Sequence, residues 1–436
     1  NFIYSLLTKD EVVIFNKYFL PYKTINLQAE INSEYERKLR RIAVNMAEIE
    51  LFKKNDGTDI ETIKSNHYLS GPNLYNLKNT SLEKYRLTSG FYSGIKNTYP
   101  GSGYIDFHKD NMVIASARGI IAFSKNFPSN KAVFKQIQNN IDEFINLKQF
   151  KKDRTFSIRD LLIYKKGIYI SYIEEISEDC WNTSVISGDF NYKNINFTKL
   201  FSSKECIHSN KNIDKEFRSN QSGGRMIPFD DSNIIFSIGD YRSRHLAQKI
   251  ESVNGKLIKI NFKNGKYKII SMGHRNPQGL YLDKDNNFLL STEHGPMGGD
   301  EINLLKEINN NENNILNFGW AIASAGEHYG GKNKENKKKY EKYPLYKSHS
   351  DNGFVEPLYS FVPSIGISEI VKTGRDNYVV SSLKDNSLYF FTLKDVSSIK
   401  KNRVRIGERI RDLKFKNNYL YLFLEDTASI GIINLN

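Results

Sequence analysis

The chain has 436 residues, a formal net charge of +14, 39% hydrophobic and 26% charged residues, and no run approaching the roughly 20 apolar residues of a membrane span. This composition is typical of a globular protein and excludes intrinsic disorder. The aromatic content of 13%, with 26 Tyr and 27 Phe, favours strands, because flat rings pack well on pleated sheets.

The positive charge by itself indicates an anionic partner. Lysine and asparagine are, however, abundant throughout, as in residues 331–343 (GKNKENKKKYEKY), and a general compositional bias explains the charge without nucleic acid. Cys180 and Cys206 are too few for a disulfide framework or a zinc site, and the sequence leaves open one bridge or two free thiols. The chain starts at Asn1 without a methionine, which is compatible with a removed signal peptide or membrane anchor.

Residues 1–100 are interpreted as an N-terminal extension. Ser33 and Glu36 form a capping box that predicts a helix over about residues 33–54. The apolar residues of this helix keep a heptad spacing for only about two heptads, which favours packing on its own domain over a dimerising stalk. The rest of the extension, from about residue 54 to 100, has no strong period and is interpreted as irregular connection.

Beyond residue 100, six segments share one plan, in which an alternating strand is followed by a short polar turn and a second apolar strand. They begin at Gly103, Ile158, Gly223, Pro277, Ile367 and Ile410. The segments at 158 and 410 open with the same tetrapeptide, Ile-Arg-Asp-Leu. Their starts lie about 45 to 90 residues apart, which is enough for roughly four strands each. The pattern predicts an all-β fold, a six-bladed β-propeller over residues 101–436.

Residues 273–303 read GHRNPQGLYLDKDNNFLLSTEHGPMGGDEIN and are followed by Asn-Phe-Gly-Trp at 317–320. This ordered run resembles the signature of the soluble pyrroloquinoline-quinone-dependent sugar dehydrogenases, the glucose/sorbosone dehydrogenase family. Three further segments follow in the family's order: Gly-Gly-Arg at 223–225 leading into Gly-Asp at 239–240, Ser-Leu-Lys at 382–384, and Arg-Ile-Arg-Asp at 409–412. The resemblance covers about residues 157–435. It implies oxidation of aldose sugars in the periplasm or elsewhere outside the cytoplasm.

The resemblance also implies residues that bind the quinone, which is planar and carries three carboxylates, so that fixed cations suit it. The cations and polar groups at the family's positions are Arg275, Asn276, His294, Lys384, Arg409 and Arg411. They come from three separate segments, which in a ring of blades are expected to converge at one mouth of the central channel. Where His294 stands, members that oxidise glucose commonly have a glutamine.

Two calcium sites are further implied by the resemblance. One ion polarises the quinone and is bound by backbone oxygens, here those of Gly295 and Pro296. Asp300 and Glu301 resemble ligands of a second, structural calcium, since this ion prefers hard oxygen ligands. The alternative is that the glycines and Pro296 only shape a loop between strands and that Asp300 caps it.

The resemblance breaks at the proton-abstracting residue. The family's His-x-Gly-Gly-Arg reads Gln-Ser-Gly-Gly-Arg here, so that Gln221 stands where the catalytic base is expected. Glutamine has no basic lone pair near neutral pH and cannot act as a general base. A replacement base is sought first at His245, in the loop after Asp240; the alternatives are His274, His294, His328 and Asp240 itself. A second departure lies at residues 157–161, where Ser-Ile-Arg-Asp-Leu replaces the family's Gly-Gln-Gly-Gly-Leu and predicts a bulkier loop.

Three functions therefore compete. The first is a dehydrogenase that oxidises aldose sugars with pyrroloquinoline quinone and calcium, by a relocated base. The second is a propeller that has lost catalysis but still binds a sugar, polyol or anion. The third is a scaffold that contacts a partner through its rim, because fold by itself does not fix function. The electron acceptor and the sugar are not encoded in any recognisable motif.

Overall fold

The computed structural model describes residues 66–77, 80–87, 102–117, 119–128, 133–145, 152, 157–308 and 315–436. The described part contains one short α-helix, α1 (Lys337–Lys342), and the following thirty strands: β1 Asn66–Tyr68, β2 Ser70–Asn76, β3 Ser81–Arg86, β4 Gly103–His108, β5 Asn111–Ser116, β6 Ile121–Ser124, β7 Val133–Gln136, β8 Gln138–Asn139, β9 Ile158–Tyr164, β10 Gly167–Ser177, β11 Cys180–Asp189, β12 Asn194–Ile195, β13 Thr198–Phe201, β14 Ile207–His208, β15 Gly223–Pro228, β16 Asn233–Ile238, β17 Lys256–Asn261, β18 Tyr267–Met272, β19 Pro277–Asp283, β20 Phe288–Glu293, β21 Asp300–Lys306, β22 Leu316–Asn317, β23 Tyr359–Phe361, β24 Ile367–Lys372, β25 Asn377–Ser382, β26 Ser387–Thr392, β27 Arg403–Arg405, β28 Ile410–Lys416, β29 Tyr419–Leu424 and β30 Ser429–Asn434. Short 3₁₀ turns lie at Ile141–Glu143, Arg244–Gln248, Lys334–Asn336, Ser350–Asn352 and Val396–Ser398. No helix within the described ranges is long and apolar enough to cross a membrane.

The chain divides into two compact units, one built from residues up to 157 with 192–194 and 406–436, and the other from 158–191 and 195–405. In the described part, the first unit has two five-stranded sheets, with strand orders β1-β7-β6-β5-β4 and β2-β3-β30-β29-β28. The second unit has four sheets, ordered β13-β11-β10-β9 with β14 added to β11, β15-β16-β17-β18-β22, β19-β20-β21-β23, and β24-β25-β26-β27. All six hairpins predicted from the sequence are present. The predicted fold class, a six-bladed β-propeller, is confirmed.

The apolar cores lie between neighbouring sheets within each unit. In the first unit, side chains such as Ile114 and Phe423 join the two sheets in one cluster. In the second unit, separate clusters fill the spaces between successive sheets, with Phe236, Leu289 and Val380 fully buried in three of them. Each such large side chain contributes roughly 1.5–3 kcal/mol by leaving water. Because alternate residues of a strand face opposite sides, both faces of these sheets carry apolar residues into a core.

The repeated Ile-Arg-Asp-Leu tetrapeptide has a structural cause. Its aspartate turns away from its own strand and accepts a hydrogen bond from the backbone of the next sheet. Asp160 on β9 accepts from Met226 N on β15 at 2.7 Å, and Asp412 on β28 accepts from Ile105 N on β4 at 2.8 Å. Both carboxylates are fully buried, so they satisfy amides that would otherwise be unpaired. The aspartate of this tetrapeptide therefore links adjacent blades at both places where the tetrapeptide occurs.

One expectation for the N-terminal extension is wrong. Strands β2 and β3 lie in the stretch interpreted as irregular, and β3 pairs antiparallel with β30 from Leu82 opposite Ile433 to Arg86 opposite Ser429. Strand β1 likewise pairs with β7. The strand β2 is largely exposed and has no apolar alternation, and the partner of β3 lies some 350 residues away, so no local period could reveal them. The helix predicted at 33–54 lies outside the described residues.

The two cysteines, whose state the sequence left open, form a disulfide. Cys180 opens β11 and Cys206 precedes β14, and the two Cα atoms lie 5.3 Å apart. The bridge closes a loop over a sequence separation of 26 residues and fixes β14 to the edge of its sheet.

Removing this bridge should lower stability measurably. The double variant Cys180→Ser, Cys206→Ser is expected to lose about 3 kcal/mol of unfolding free energy, because the unfolded chain regains the entropy of the opened loop. Urea unfolding with and without reductant measures the loss, and reductant should leave the double variant unchanged. Equal midpoints for the wild type in both buffers would show that the bridge is absent or without effect.

Candidate functional site

Gln221 lies on the turn that enters β15, and two glycine positions place it there. Gly223 and Gly224 have φ angles of +62° and +112°, a backbone conformation that side chains with a Cβ rarely adopt. Opposite them, a Cβ on Gly239 would lie 2.1 Å from the Gln221 carbonyl oxygen. The Gly-Gly and Gly-Asp motifs thus allow two backbone segments to meet, and Tyr241 N donates to Gln221 O at 3.0 Å across that contact.

The Gln221 amide connects one carboxylate with two guanidinium groups. In the orientation that gives each amide atom a suitable partner, the nitrogen donates to Asp240 Oδ1 at 3.3 Å. The oxygen accepts from Arg275 Nη2 at 3.0 Å and from Arg242 Nε at 3.1 Å. The side chain is only 7% exposed. The residue at the position of the family's base therefore serves as a neutral hydrogen-bond bridge.

Asp240, one of the alternative bases, is completely buried. Its Oδ1 accepts from the backbone N of Arg242 at 2.9 Å, and its Oδ2 accepts from the indole Nε1 of Trp320 at 2.7 Å. Burial raises the pKa of this carboxyl group above its usual value, against the opposing effect of Arg275. Asp240 accepts hydrogen bonds from its neighbours and has no exposed oxygen with which to take a proton from a ligand.

Arg275 is the buried cation of the site. Its Nη1 donates to the carbonyl oxygens of His294 at 2.7 Å and Gly295 at 2.6 Å, and its guanidinium lies over the Trp320 ring at 5.3 Å from the centroid. Together with His294, Gly295 and Trp320, it lines a small, partly open cavity. A cation fixed by an aromatic face and two carbonyls at the wall of a cavity is suited to hold an anionic group.

Asn276 fixes the tautomer of His294. Its Oδ1 accepts from Gly223 N and from Gln278 Nε2, both at 3.0 Å, so its Nδ2 must be the group that faces His294 Nδ1 at 3.3 Å. Because an amide NH₂ only donates, Nδ1 of His294 accepts and the proton of the neutral ring lies on Nε2. In this state His294 is a hydrogen-bond donor through Nε2 and not a base at that atom.

The loop predicted to bind calcium is held by protein groups. The Gly295 carbonyl oxygen already faces the Arg275 guanidinium, so a calcium ion bound to it would require Arg275 to move. Asp300 accepts from Gly295 N and from Ile367 N, both at 3.0 Å, which is the capping role that the sequence left as the alternative. No group of three or more His, Cys, Asp or Glu side chains arranged for a metal occurs among the described residues. The residues present therefore do not fit calcium at this loop as it stands, and no chemical step is assigned to it.

Glu301 lies directly opposite Glu293 on the neighbouring strand, and both carboxylates are buried. Burial and the charge of Glu293 raise the pKa of Glu301 well above its usual value. Asn303 Nδ2 donates to Glu293 at 2.6 Å, and Glu293 also accepts from the backbone N of Arg275 at 2.7 Å. This carboxyl pair thus supports the loop between β18 and β19 from which Arg275 projects.

The other three candidate histidines all contact protein groups. His245 lies in the turn Arg244–Gln248, with Nδ1 3.2 Å from Asp214, whose carboxylate also accepts from Lys342 and Tyr343. His274 lies between Glu293 and Ser271 and is fully buried. His328 contacts the carbonyl oxygen of Tyr343, and burial lowers its pKa to about 4. These contacts hold each of the three rings in place, and a catalytic role for any of them stays a prediction.

The turn that carries His245 is fixed by a buried lysine that the sequence did not indicate. The Nζ of Lys256 donates to the carbonyl oxygens of Leu246, Ala247 and Asn254 at 2.9–3.0 Å. Burial lowers the pKa of Lys256 to about 7. An ammonium group among three carbonyls positions this turn, and with it the segment that begins at Asp240.

The remaining predicted cations have different surroundings. Lys384 is exposed, in the loop between β25 and β26. In the other unit, Arg409 and Arg411 both donate to the buried carboxylate of Glu425, at 2.8 and 3.0 Å. Although burial acts in the opposite direction, these two arginines lower the pKa of Glu425 to about 2. Glu425 offsets one of the two positive charges, a partner that the motif did not reveal. The convergence of all four cations stays a prediction.

At the second departure from the family pattern, where a bulkier loop was expected, residues 158–161 instead lie in strand β9. A Cβ on Gly224 would lie 2.2 Å from the Cβ of Arg159, whose guanidinium donates to Ser219 O at 3.3 Å. Arg159 therefore packs over the turn that leads to Gln221, in place of a family glycine.

The fold and the site together define a β-propeller with a small cavity lined by Arg275, two carboxylates and two aromatic side chains. A family model described as Glucose / Sorbosone dehydrogenase matches residues 163–433, more than half of the chain, and the chain belongs to this family. The aldose sugar dehydrogenase YliI of Escherichia coli (strain K12) is 27% identical over 233 residues, which cover 48% of this chain and 58% of that protein. An uncharacterized protein of Synechocystis is 27% identical over 223 residues, covering 44% and 50%. The chain thus matches about half the length of these curated relatives.

Solved structures share the fold. A glucose dehydrogenase crystal structure is 19% identical with a TM-score of 0.59, covering 76% of this chain and 95% of that one. The soluble aldose sugar dehydrogenase from Escherichia coli in the apo form is 19% identical with a TM-score of 0.58, covering 77% and 96%. The PQQ-bound aldose sugar dehydrogenase from Streptomyces coelicolor is 14% identical with a TM-score of 0.53, covering 77% and 99%.

Proposed function

We propose that this chain binds pyrroloquinoline quinone in the cavity beside Arg275 and oxidises aldose sugars slowly, because it lacks the family's base. The observation that supports the quinone site best is the buried Arg275, held by Trp320 and two carbonyls at the cavity wall. When bound, the quinone accepts the two electrons that the sugar loses. Family membership and a PQQ-bound structure with the same fold support this assignment.

The protein's own groups have separate roles in this proposal. Arg275 would hold an anionic or carbonyl oxygen of the quinone, and His294, whose ring proton lies on Nε2, also lines the cavity. Gln221 stands where a base must take the proton from the sugar hydroxyl, but its amide only bridges Asp240 and the guanidinium groups. Proton removal from the sugar is therefore left to water, and this step limits turnover.

A second function follows from the same amide. If proton removal by water is too slow for a biological role, the chain is a sugar- or anion-binding propeller that has lost catalysis. Gln221 favours this alternative, because its amide cannot act as a base. In either function we place the protein outside the cytoplasm, an assignment that the Cys180–Cys206 bridge supports. A membrane anchor and an electron acceptor belong to the same proposal.

Quinone binding tests the proposal directly. The purified chain is titrated with pyrroloquinoline quinone, with calcium and with chelator in separate experiments, and bound chromophore is measured by absorbance after gel filtration. Arg275→Gln is expected to weaken binding by about ten- to a hundredfold, since hydrogen bonds to charged groups contribute roughly 1.5–3 kcal/mol. The exposed Arg375→Gln is the matched control and should bind like the wild type. Failure of the wild type to retain quinone in both buffers would refute the cofactor assignment.

A further inference from the structure

Arg242 is a second, partly buried cation at the site, to which the sequence motifs assign no role. Its Nε donates to the Gln221 amide oxygen at 3.1 Å, beside the Arg275 donor at 3.0 Å. Two guanidinium groups therefore meet at one neutral oxygen. Burial and the proximity of Arg275 and Arg218 lower the pKa of Arg242, against the opposing effect of Glu216. Like charges brought this close are unfavourable unless an anion compensates them.

The backbone is held in a rare conformation to place this side chain. Tyr241 and Arg242 have φ angles of +51° and +70°, in the left-handed region that costs free energy for residues other than glycine. Tyr241 is fully buried, and its hydroxyl lies 2.6 Å from Thr183 Oγ1, while Asp240 accepts from Arg242 N. Such strain persists only where the surroundings fix it, and it often marks a functional position.

The local charge balance is positive. Arg242, Arg244 and Lys339 all bond to one carboxylate, that of Glu216, at 3.3, 2.9 and 2.6 Å. The only other carboxylate in their hydrogen-bond network among the described residues is Asp240, which also faces Arg275. Three cations, Arg242, Arg244 and Lys339, are thus set against two carboxylates, and this excess of positive charge favours an anionic ligand.

Tyr329 gives this cationic group an aromatic surface. The Arg242 guanidinium lies 5.1 Å from the centroid of its ring, and the residue is 52% exposed. The ring is held in place on one side by the arginine and is open to solvent elsewhere. An exposed ring beside a guanidinium can receive the apolar C–H face of a pyranose while the cation holds a charged substituent of the same sugar.

We propose that Arg242 and Tyr329 form a recognition site for sugars that carry an anionic group, a carboxylate or a phosphate. This proposal rests on the proposed function, because it names the substrate class of that site. It assigns Arg275 to the cofactor and Arg242 to the substrate. Acidic aldoses bind in preference to neutral ones, and Gln221 lies between the two arginines.

Calorimetric titration of the quinone-free chain with glucuronate, glucose 6-phosphate and glucose tests this directly. We expect at least one of the two acidic sugars to bind ten- to a hundredfold more tightly than glucose, and the acidic sugar that binds identifies the anionic group. Arg242→Gln should remove this preference, and high salt should reduce it. Tyr329→Ala should weaken binding of that sugar about tenfold, whereas Tyr329→Phe should retain it.

Two controls separate this proposal from its alternatives. Arg375→Gln and Tyr346→Ala change exposed residues of the same types outside the proposed pair and should bind sugars like the wild type. If Arg242→Gln lowers affinity for quinone but not for acidic sugars, Arg242 belongs to the cofactor site and the proposal is wrong. If neither acidic sugar binds more tightly than glucose, the proposal is also wrong. If the wild type does not bind quinone, only the cofactor assignment is wrong, because the sugar titrations need no quinone.

Discussion

Gln221→His is expected to raise the rate of aldose oxidation by roughly a hundred- to ten-thousandfold in quinone-loaded protein. The Gln221 amide nitrogen already donates to Asp240, so a histidine there can donate from one ring nitrogen to the same carboxylate. The other nitrogen is then the base for the sugar hydroxyl, as in other sites where a carboxylate orients a histidine. Dye reduction with aldoses over a range of pH measures the gain, which should follow the titration of one histidine.

Asp240, the carboxylate that would orient this histidine, provides the control. Asp240→Asn in the Gln221→His background should remove most of the gain, because the ring loses the acceptor that fixes its tautomer. In the wild-type background, His245→Ala should change the rate little, since its Nδ1 is held by Asp214 in a separate network. If instead His245→Ala abolishes the activity of the otherwise wild-type protein, His245 is the relocated base.

The largest effect on stability is expected at Arg225, the arginine of the Gly-Gly-Arg motif. It is 3% exposed and forms ion pairs with Asp160 and with Glu369, each at 2.8 Å, from the strands β9 and β24 of two other sheets. Its Nε also donates to the carbonyl oxygen of Gln278 on β19. Arg225→Met leaves two buried carboxylates without their cation, and we expect a loss of about 3–5 kcal/mol in unfolding free energy.

Urea unfolding followed by fluorescence measures this loss. Arg375→Met removes an arginine from an exposed turn and should change the unfolding free energy by no more than about 0.5 kcal/mol. Adding Asp160→Asn and Glu369→Gln to Arg225→Met should recover part of the stability, since the unpaired charges are then gone. If Arg225→Met unfolds like the wild type, the buried pairs contribute nothing net and the motif has another cause.

The sequence by itself determined the features that depend on residues close together in the chain. The six hairpins follow from period-two alternation and polar turns, both of which act over fewer than about twenty residues. The ordered run at 273–303 determined the family. The sequence also showed that the base is missing at Gln221, because an amide side chain cannot act as a base.

Only the tertiary structure decided the features that depend on distant partners. The pairing of β3 with β30, the ion pairs of Arg409 and Arg411 with Glu425, and the bond from Arg275 to the Gly295 carbonyl are examples. A motif specifies which side chain is present, but the charge that a ligand meets depends on every group packed around it, and those groups come from other strands. Arg242 was missed for the same reason, since its role depends on the left-handed backbone and on the Tyr329 ring that the fold brings against it.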